Sequence, residues 1–333
     1  MLPLGDGVDN EVPLAIASLL AFCVSALANA AMARGWRFLP QDRPNARSLH
    51  ERPVPRSGGL GIALGVAAAG LASADSVLLV LLALTVPLAI ISLVDDVRGL
   101  PIATRLVTHL VLAVIFLWRC APEQWGFPVG ILACATLVWM TNLYNFMDGS
   151  DGMAGGMALF GFGAYGIAAW SAGDLSIALA ASVLAAATTG FLLFNFHPAK
   201  IFMGDVGSIP LGFLAAALGL LGYWRGLWPW SFPVLVFSPF IVDASVTLLR
   251  RLLRGERVWQ AHREHYYQRL IRSGLGHRAT ALWSYGLMAL CAAAALVLLH
   301  WPESTLPLLL ACAMFYTLLM LWLDRHCRAH GVL

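Results

Sequence analysis

The stretch Gly126–Gly156, GFPVGILACATLVWMTNLYNFMDGSDGMAGG, decides how this chain folds. Residues 126 to 144 carry no charged side chain and match the roughly 20 apolar residues a helix needs to cross a bilayer. Directly after them Asn145, Asp148 and Asp151 crowd around Gly149 and Gly152. Inside a bilayer every backbone N–H and C=O must be satisfied within its own segment, so the first part reads as a membrane-spanning helix. The second part, polar and rich in chain-bending glycine, reads as its end at the water boundary.

Outward from this stretch the same alternation repeats. Apolar runs at 11–33, 57–74, 77–94 and 102–119 precede it, and runs at 153–171, 175–194, 209–224, 228–249, 281–300 and 304–323 follow, which makes eleven expected spans. Composition agrees: 59% of the 333 residues are hydrophobic and 12% charged, about half the charged share of a soluble domain. The expected fold class is therefore all-α, a polytopic membrane protein forming one integral domain over 1–333 with its N-terminus outside. A net charge of +3 gives no footprint for nucleic acid. The six cysteines are scattered without paired spacing and read as packing residues. The first residues hold acids and no Lys or Arg, unlike the start of a cleaved signal peptide, so the first span is expected to be retained.

Lys and Arg collect in cytoplasmic loops. With the N-terminus outside, only Arg119 and Arg225 of the 21 basic residues fall on the outer side. The loops at about 34–56, 95–101, 145–152, 195–208 and 250–280 then all lie inside, which places an active site on the cytoplasmic face. One-sided chemistry of this kind suits an enzyme at a membrane surface. An ion-coupled transporter, the alternative, would need polar groups along a path through the bilayer. A non-catalytic lipid-binding scaffold is the third class.

Asp95 and Asp96 end the third span in LVDDVRGL; adjacent carboxylates at a lipid boundary call for a cation, a base or water. They read as holding a divalent metal or as taking a proton from a phosphate acceptor. Asn142, Asn145, Asp148 and Asp151 recur every three residues, a spacing that would put several on one helix face, and they offer the oxygen ligands Mg²⁺ takes alongside substrate phosphates. The stretch Phe194–Phe213, FNFHPAKIFMGDVGSIPLGF, places Asn195, His197, Lys200 and Asp205 before a Gly-rich helix start suited to phosphate. Phe202 in it reads equally as core or as a stacking platform. In RRLLRGERVWQAHREHYYQRL, 250–270, about half the arginines read as lipid anchors. His262, Arg263, His265, Tyr267, Gln268 and Arg269 are denser in hydrogen-bonding groups than anchoring requires, and Arg suits a pyrophosphate. Arg52 and Arg56 stand before the Gly-rich span start of SLHERPVPRSGGLGI, 48–62.

Together, DDVRGL, NLYNFMDGSDGMAGG and NFHPAKIFMGDVGS, in that order and on one side, resemble the polyprenyl-phosphate N-acetylhexosamine-1-phosphate transferase family. HERPVPRSGGLGI and the Asp243 to His265 region extend the resemblance over about residues 48 to 270. The resemblance implies a Mg-dependent transfer of a sugar-1-phosphate from a UDP-sugar to undecaprenyl phosphate in the bacterial inner membrane, with Mn²⁺ as a substitute metal. It implies catalytic roles for Asp95, Asp96, Asp148 and His265, and metal ligation by Asn145 and Asp205. Asp151, Asn195 and Phe202 should meet the uridine, and Asn142, Arg52, Arg56, His262, Arg263 and Arg269 complete the expected substrate-binding set. Partners implied are undecaprenyl phosphate, the UDP-sugar and membrane lipid, with a homodimer left open. Tyr267 and Gln268 stand where many members carry histidines. That resembles a branch using UDP-N-acetylfucosamine or UDP-N-acetylquinovosamine, with UDP-N-acetylglucosamine also open, and starting O-antigen or another envelope polysaccharide.

Overall fold

A computed structural model describes residues 14–34, 41–42, 53–123, 125–260 and 262–332. The protein is an all-α polytopic membrane protein. Its helices are α1 (Leu14–Ala33), α2 (Gly58–Ser73), α3 (Ser76–Arg98), α4 (Ile102–Cys120), α5 (Phe127–Phe146), α6 (Met153–Ser171) and α7 (Leu175–Asn195). They continue as α8 (Asp205–Trp224), α9 (Ser231–Val236), α10 (Ser238–Leu253), α11 (Tyr266–Leu270), α12 (Gly276–Leu298) and α13 (Thr305–Ala329). A two-residue ladder pairs Gln41–Asp42 with Val54–Pro55. Arg52 and most of the expected loop 34–56 lie outside the described residues.

Among the described residues, nine helical stretches are long and apolar enough to cross a membrane. The other two expected spans take different forms. Residues 57–74 give α2, only 16 residues long, or about 24 Å at 1.5 Å per residue. Residues 228–249 are broken into α9 and α10 around Phe237, whose φ of −94° and ψ of 8° leave the helix. The cause is local: Pro239 has no N–H to donate to the Leu235 carbonyl and its ring crowds that carbonyl, so the helical ladder breaks in the turn before it. Ser238 Oγ covers the exposed Leu235 carbonyl at 2.7 Å.

Helix α8 is the axis of the bundle, with 89% of its apolar window buried, whereas the window of α13 is 17% buried and turns leucines outward, as lipid requires. Helices α3 and α5 flank α8, α6 and α7 pair, and α1 and α2 close over α7. Lipid supplies no hydrophobic drive between spans, so small residues let backbones come close. A Cβ on Gly59 would sit 2.3 Å from Gly207 N, and one on Gly212 would sit 2.4 Å from Met140 O. Glycine at these points sets how near α2 and α5 come to α8. Side-chain caps fix two helix starts: Asp75 accepts from Leu78 N at 2.8 Å and Asp174 from Ile177 N at 2.9 Å. At the end of the bundle away from most basic residues, Arg225 pairs with Asp174 at 2.7 Å. The opposite end gathers the close of α3, α5 and α7 with the start of α2, α4, α6, α8 and α12.

Candidate active site

Four carboxylates and two guanidiniums meet at this end. Asp95, in the last turn of α3, accepts from Leu100 N at 2.6 Å and from Arg105 Nη1 at 2.9 Å. Arg56, just before α2, reaches Asp205 Oδ1 at 3.2 Å and Asp96 Oδ1 at 3.9 Å. Arg105 lies 3.8 Å from the other oxygen of Asp205. Asp205 is the first residue of α8, at the positive end of the helix dipole. Both arginines are about one-third exposed, so this chemistry opens to water.

Asp148 completes the group from the turn after α5, within the field of Arg56 and Asp205. Burial pushes its carboxyl well above the usual carboxylate range; Arg56 opposes the shift and the charge of Asp205 adds to it. An unfolded Asp titrates near 4. The folded state is unpenalised below that value and loses stability as pH climbs toward the raised folded pKa, because the unfolded chain ionises first. Asp148→Asn, which fixes the uncharged form, is therefore expected to raise the unfolding temperature of the cation-free protein, and by more at pH 8 than at pH 5. Thermal unfolding in EDTA at the two pH values measures this.

Even without Asp148, three carboxylates against two guanidiniums leave a negative excess suited to a divalent cation. Among the described residues no three His, Cys, Asp or Glu side chains form a ready-made cage. Mg²⁺ usually keeps several waters and binds through one or two carboxylates plus substrate phosphates, so it does not require a full protein cage. Asn145 presents its Oδ1 one turn before Asp148 and accepts there from Ser208 Oγ at 2.8 Å.

The helical spacing expected to put several of Asn142, Asn145, Asp148 and Asp151 on one face does not carry through to the last two. Helix α5 ends at Phe146, and the turn through Gly149 and Gly152 (φ 73°) sends the last two acids apart. Asp148 lies in the field of Arg56 and Asp205, while Asp151 accepts from His197 Nδ1 at 2.7 Å and Ala199 N at 3.1 Å. Asn142 lies a turn deeper, donating to Val138 O at 2.7 Å and meeting His109 Nδ1 at 3.4 Å.

Asn195 is spent on architecture, accepting from Gly152 N and donating to Ile201 O, both at 2.9 Å. Phe202 is half-buried; its backbone N donates to Pro55 O and its carbonyl accepts from Gly58 N, which stitches this loop to the start of α2. The expected free amides of the Gly-rich turn are partly consumed, since Gly207 N and Ser208 N both donate to Gly204 O.

The basic loop divides. Arg269, 3% exposed, pairs with Asp324 at 3.1 Å and lies over Tyr266, which ties α11 to α13. Arg251 and Arg254 bind Glu256 and Glu264. Arg263 is half-buried, and its carbonyl accepts from Arg272. Asp243 caps α11: it accepts from Tyr266 N at 3.0 Å, Tyr267 N at 3.1 Å, Thr247 Oγ1 at 3.2 Å and His265 Nδ1 at 3.2 Å. His265 is buried between Phe146 and Tyr267, with ring centroids 6.4 and 5.9 Å away. His262 is half-buried beside it at 4.9 Å, and burial, His265 and Arg251 lower its pKa to about 4.

The sequence reading missed Arg105 and His277 as members of this end. A cation one turn inside an apolar run was the available signal for Arg105.

The sequence profile described as glycosyl transferase family 4 matches residues 78–223, from α3 to the end of α8. Over 277 residues, covering 77% of this chain and 76% of the relative, the protein is 32% identical to a probable undecaprenyl-phosphate N-acetylglucosaminyl 1-phosphate transferase of Bacillus subtilis. It is 30% identical to a decaprenyl-phosphate N-acetylglucosaminephosphotransferase of Mycobacterium tuberculosis, covering 76% of this chain and 75% of that one. A phospho-N-acetylmuramoyl-pentapeptide-transferase of Shouchella clausii is 30% identical, over 71% of this chain and 81% of its own. With arginine-bridged acids at the shared end of a multi-pass bundle, and this likeness over three quarters of its length, the chain belongs to the polyprenyl-phosphate N-acetylhexosamine-1-phosphate transferase family.

Proposed function

We propose that the protein transfers an N-acetylated amino sugar together with its 1-phosphate from a UDP-sugar to undecaprenyl phosphate, releasing UMP and giving a lipid-diphosphate-sugar. The observation that carries this is the shared bridging of Asp95, Asp96 and Asp205 by Arg56 and Arg105 beside lipid. Phosphoryl transfer needs positioning and charge neutralisation more than covalent chemistry, and two guanidiniums over a set of acids supply both. An apolar groove of about 770 Å³, lined by Met147, Phe240, Tyr267, Leu287, Met320 and Trp322, runs from this end between α10, α12 and α13 and suits a polyprenyl tail.

In this reading Asp205 and Asn145 hold Mg²⁺, with Mn²⁺ as a substitute, and the bound ion supplies neutralisation of phosphate charge. Asp95 or Asp96 accepts any residual proton of the acceptor phosphate, which is already mostly ionised near neutral pH, so direct displacement is favoured over an aspartyl-phosphate. Arg56 and Arg105 turn from their carboxylates toward the pyrophosphate. The site faces the cytoplasm of a bacterial inner membrane, as the distribution of Lys and Arg implies. N-acetylglucosamine is supported by the names of two relatives. N-acetylfucosamine and N-acetylquinovosamine stay in the panel because of Tyr267 and Gln268, with a product that starts O-antigen or another envelope polysaccharide.

The test is purified protein in lipid with undecaprenyl phosphate, Mg²⁺ and a panel of UDP-sugars, following UMP and lipid mass. UMP with a matching lipid-diphosphate-sugar is expected, and EDTA should abolish both. Uptake of substrate into vesicles without a lipid product would overturn the reading.

A further inference from the structure

Asp151 is buried, yet both of its oxygens already face imidazoles. Oδ2 accepts from His197 Nδ1 at 2.7 Å, and Oδ1 lies 3.8 Å from His277 Nδ1, which is also 3.1 Å from Ser150 Oγ. The two rings lie parallel, 2° apart in plane, with centroids 5.6 Å apart. The three acting residues come from three places: the turn after α5, the loop after α7 and the first turn of α12. Tyr285, farther along α12, donates to Gly152 O at 2.8 Å, so α12 grips the same turn twice. A carboxylate can only accept, so the His197 Nδ1 beside it carries the proton.

This arrangement adjoins the charged cluster without belonging to it. Asp148, three residues before Asp151, lies in the field of Arg56 and Asp205, where a pyrophosphate would be held. In the transferase reading the nucleoside attached to that pyrophosphate extends along the turn and the loop carrying Asn195 and Phe202. Those two segments are joined through Asp151 and His197.

We propose that His197 and His277 are positioning residues: a stacked imidazole pair that clamps Asp151, and with it the turn 147–152, against the loop 196–204 to shape the seat of the donor nucleotide. This rests on the transferase reading above. The pair acts through Asp151 on binding of the UDP-sugar, and neither ring takes part in phosphoryl transfer.

The experiment is steady-state kinetics of the full-length enzyme in lipid, with KM for the UDP-sugar, KM for undecaprenyl phosphate and kcat measured separately. His197→Ala should raise KM for the UDP-sugar by about tenfold, the loss expected for a hydrogen bond to a charged group, and His277→Ala, whose ring stands 3.8 Å from the carboxylate, should raise it by less, with kcat and the lipid KM nearly unchanged in both. Combining them should cost less than the product of the two effects, because both act on one carboxylate. His197→Asn puts an amide N–H where Nδ1 stands and should restore the KM, while His197→Gln puts it where Nε2 stands and should not. Restoration by Gln and not by Asn would overturn the proposal, since the far nitrogen would then be touching substrate. So would an Asn variant as impaired as the Ala variant, an unchanged KM, or an effect confined to kcat or the lipid. An inactive wild-type enzyme with every UDP-sugar would instead sink the transferase reading.

Discussion

Asp205→Ala is expected to lower the rate of UMP release by about a thousandfold or more, a loss of roughly 4 kcal/mol of transition-state stabilisation. Both arginines approach Asp205, at 3.2 Å from Arg56 and 3.8 Å from Arg105. Without it, two guanidiniums face each other across the entrance to α8 with a smaller negative charge between them. The site then attracts a divalent cation less, and the arginines lose the partner that aims them at a phosphate. Asp205→Asn separates the two effects, because it keeps size and an acceptor oxygen but removes the charge. It should be nearly as slow as the alanine variant if charge is what matters. UMP release per mole of folded protein, with unfolding temperature as the control for intact structure, is the measurement. Turnover near wild type in Asp205→Ala would remove Asp205 from the chemistry.

The second large effect is on stability. Asp243→Ala leaves Tyr266 N, Tyr267 N, Thr247 Oγ1 and His265 Nδ1 without their acceptor in a buried place. Each buried donor left unsatisfied costs about 1–3 kcal/mol, and partial access of water should hold the total to roughly 3–5 kcal/mol. The loss is local in origin: α11 has only five residues and depends on this cap to stay on α10. Unfolding temperature should fall, and limited proteolysis should become faster within 254–275 than elsewhere. Asp243→Asn retains one carbonyl acceptor and should lose less. Equal protease resistance of Asp243→Ala and wild type in that segment would show that the cap is dispensable.

Hydropathy read along the chain found the elements because membrane insertion is a local, additive property: about 20 apolar residues in a row suffice, whatever lies elsewhere. It missed the division of 228–249, since an apolar sum is blind to a proline that breaks the hydrogen-bond ladder within the run. The polar stretches stood out for the same reason the spans did, as ionisable groups where lipid-soluble ones were expected. Spacing then misled at Asp148 and Asp151, because a three-residue step implies one face only while the helix lasts, and α5 stops at Phe146.

The sequence by itself determined that the chain crosses the membrane many times, that its acids and amides collect at one end, and that their order resembles one family of transferases. Only the tertiary structure decided which acid meets which base. Arg56 and Asp205 stand 149 residues apart and meet because glycines let α2 and α8 touch. Asp243 and Asp151, equally prominent as letters, turned out to be held by a helix start and by two imidazoles. Coulomb and hydrogen-bond energies act over a few ångströms, so a carboxylate's role follows from its neighbours in space, and those are set by helix packing rather than by the residues beside it in the chain.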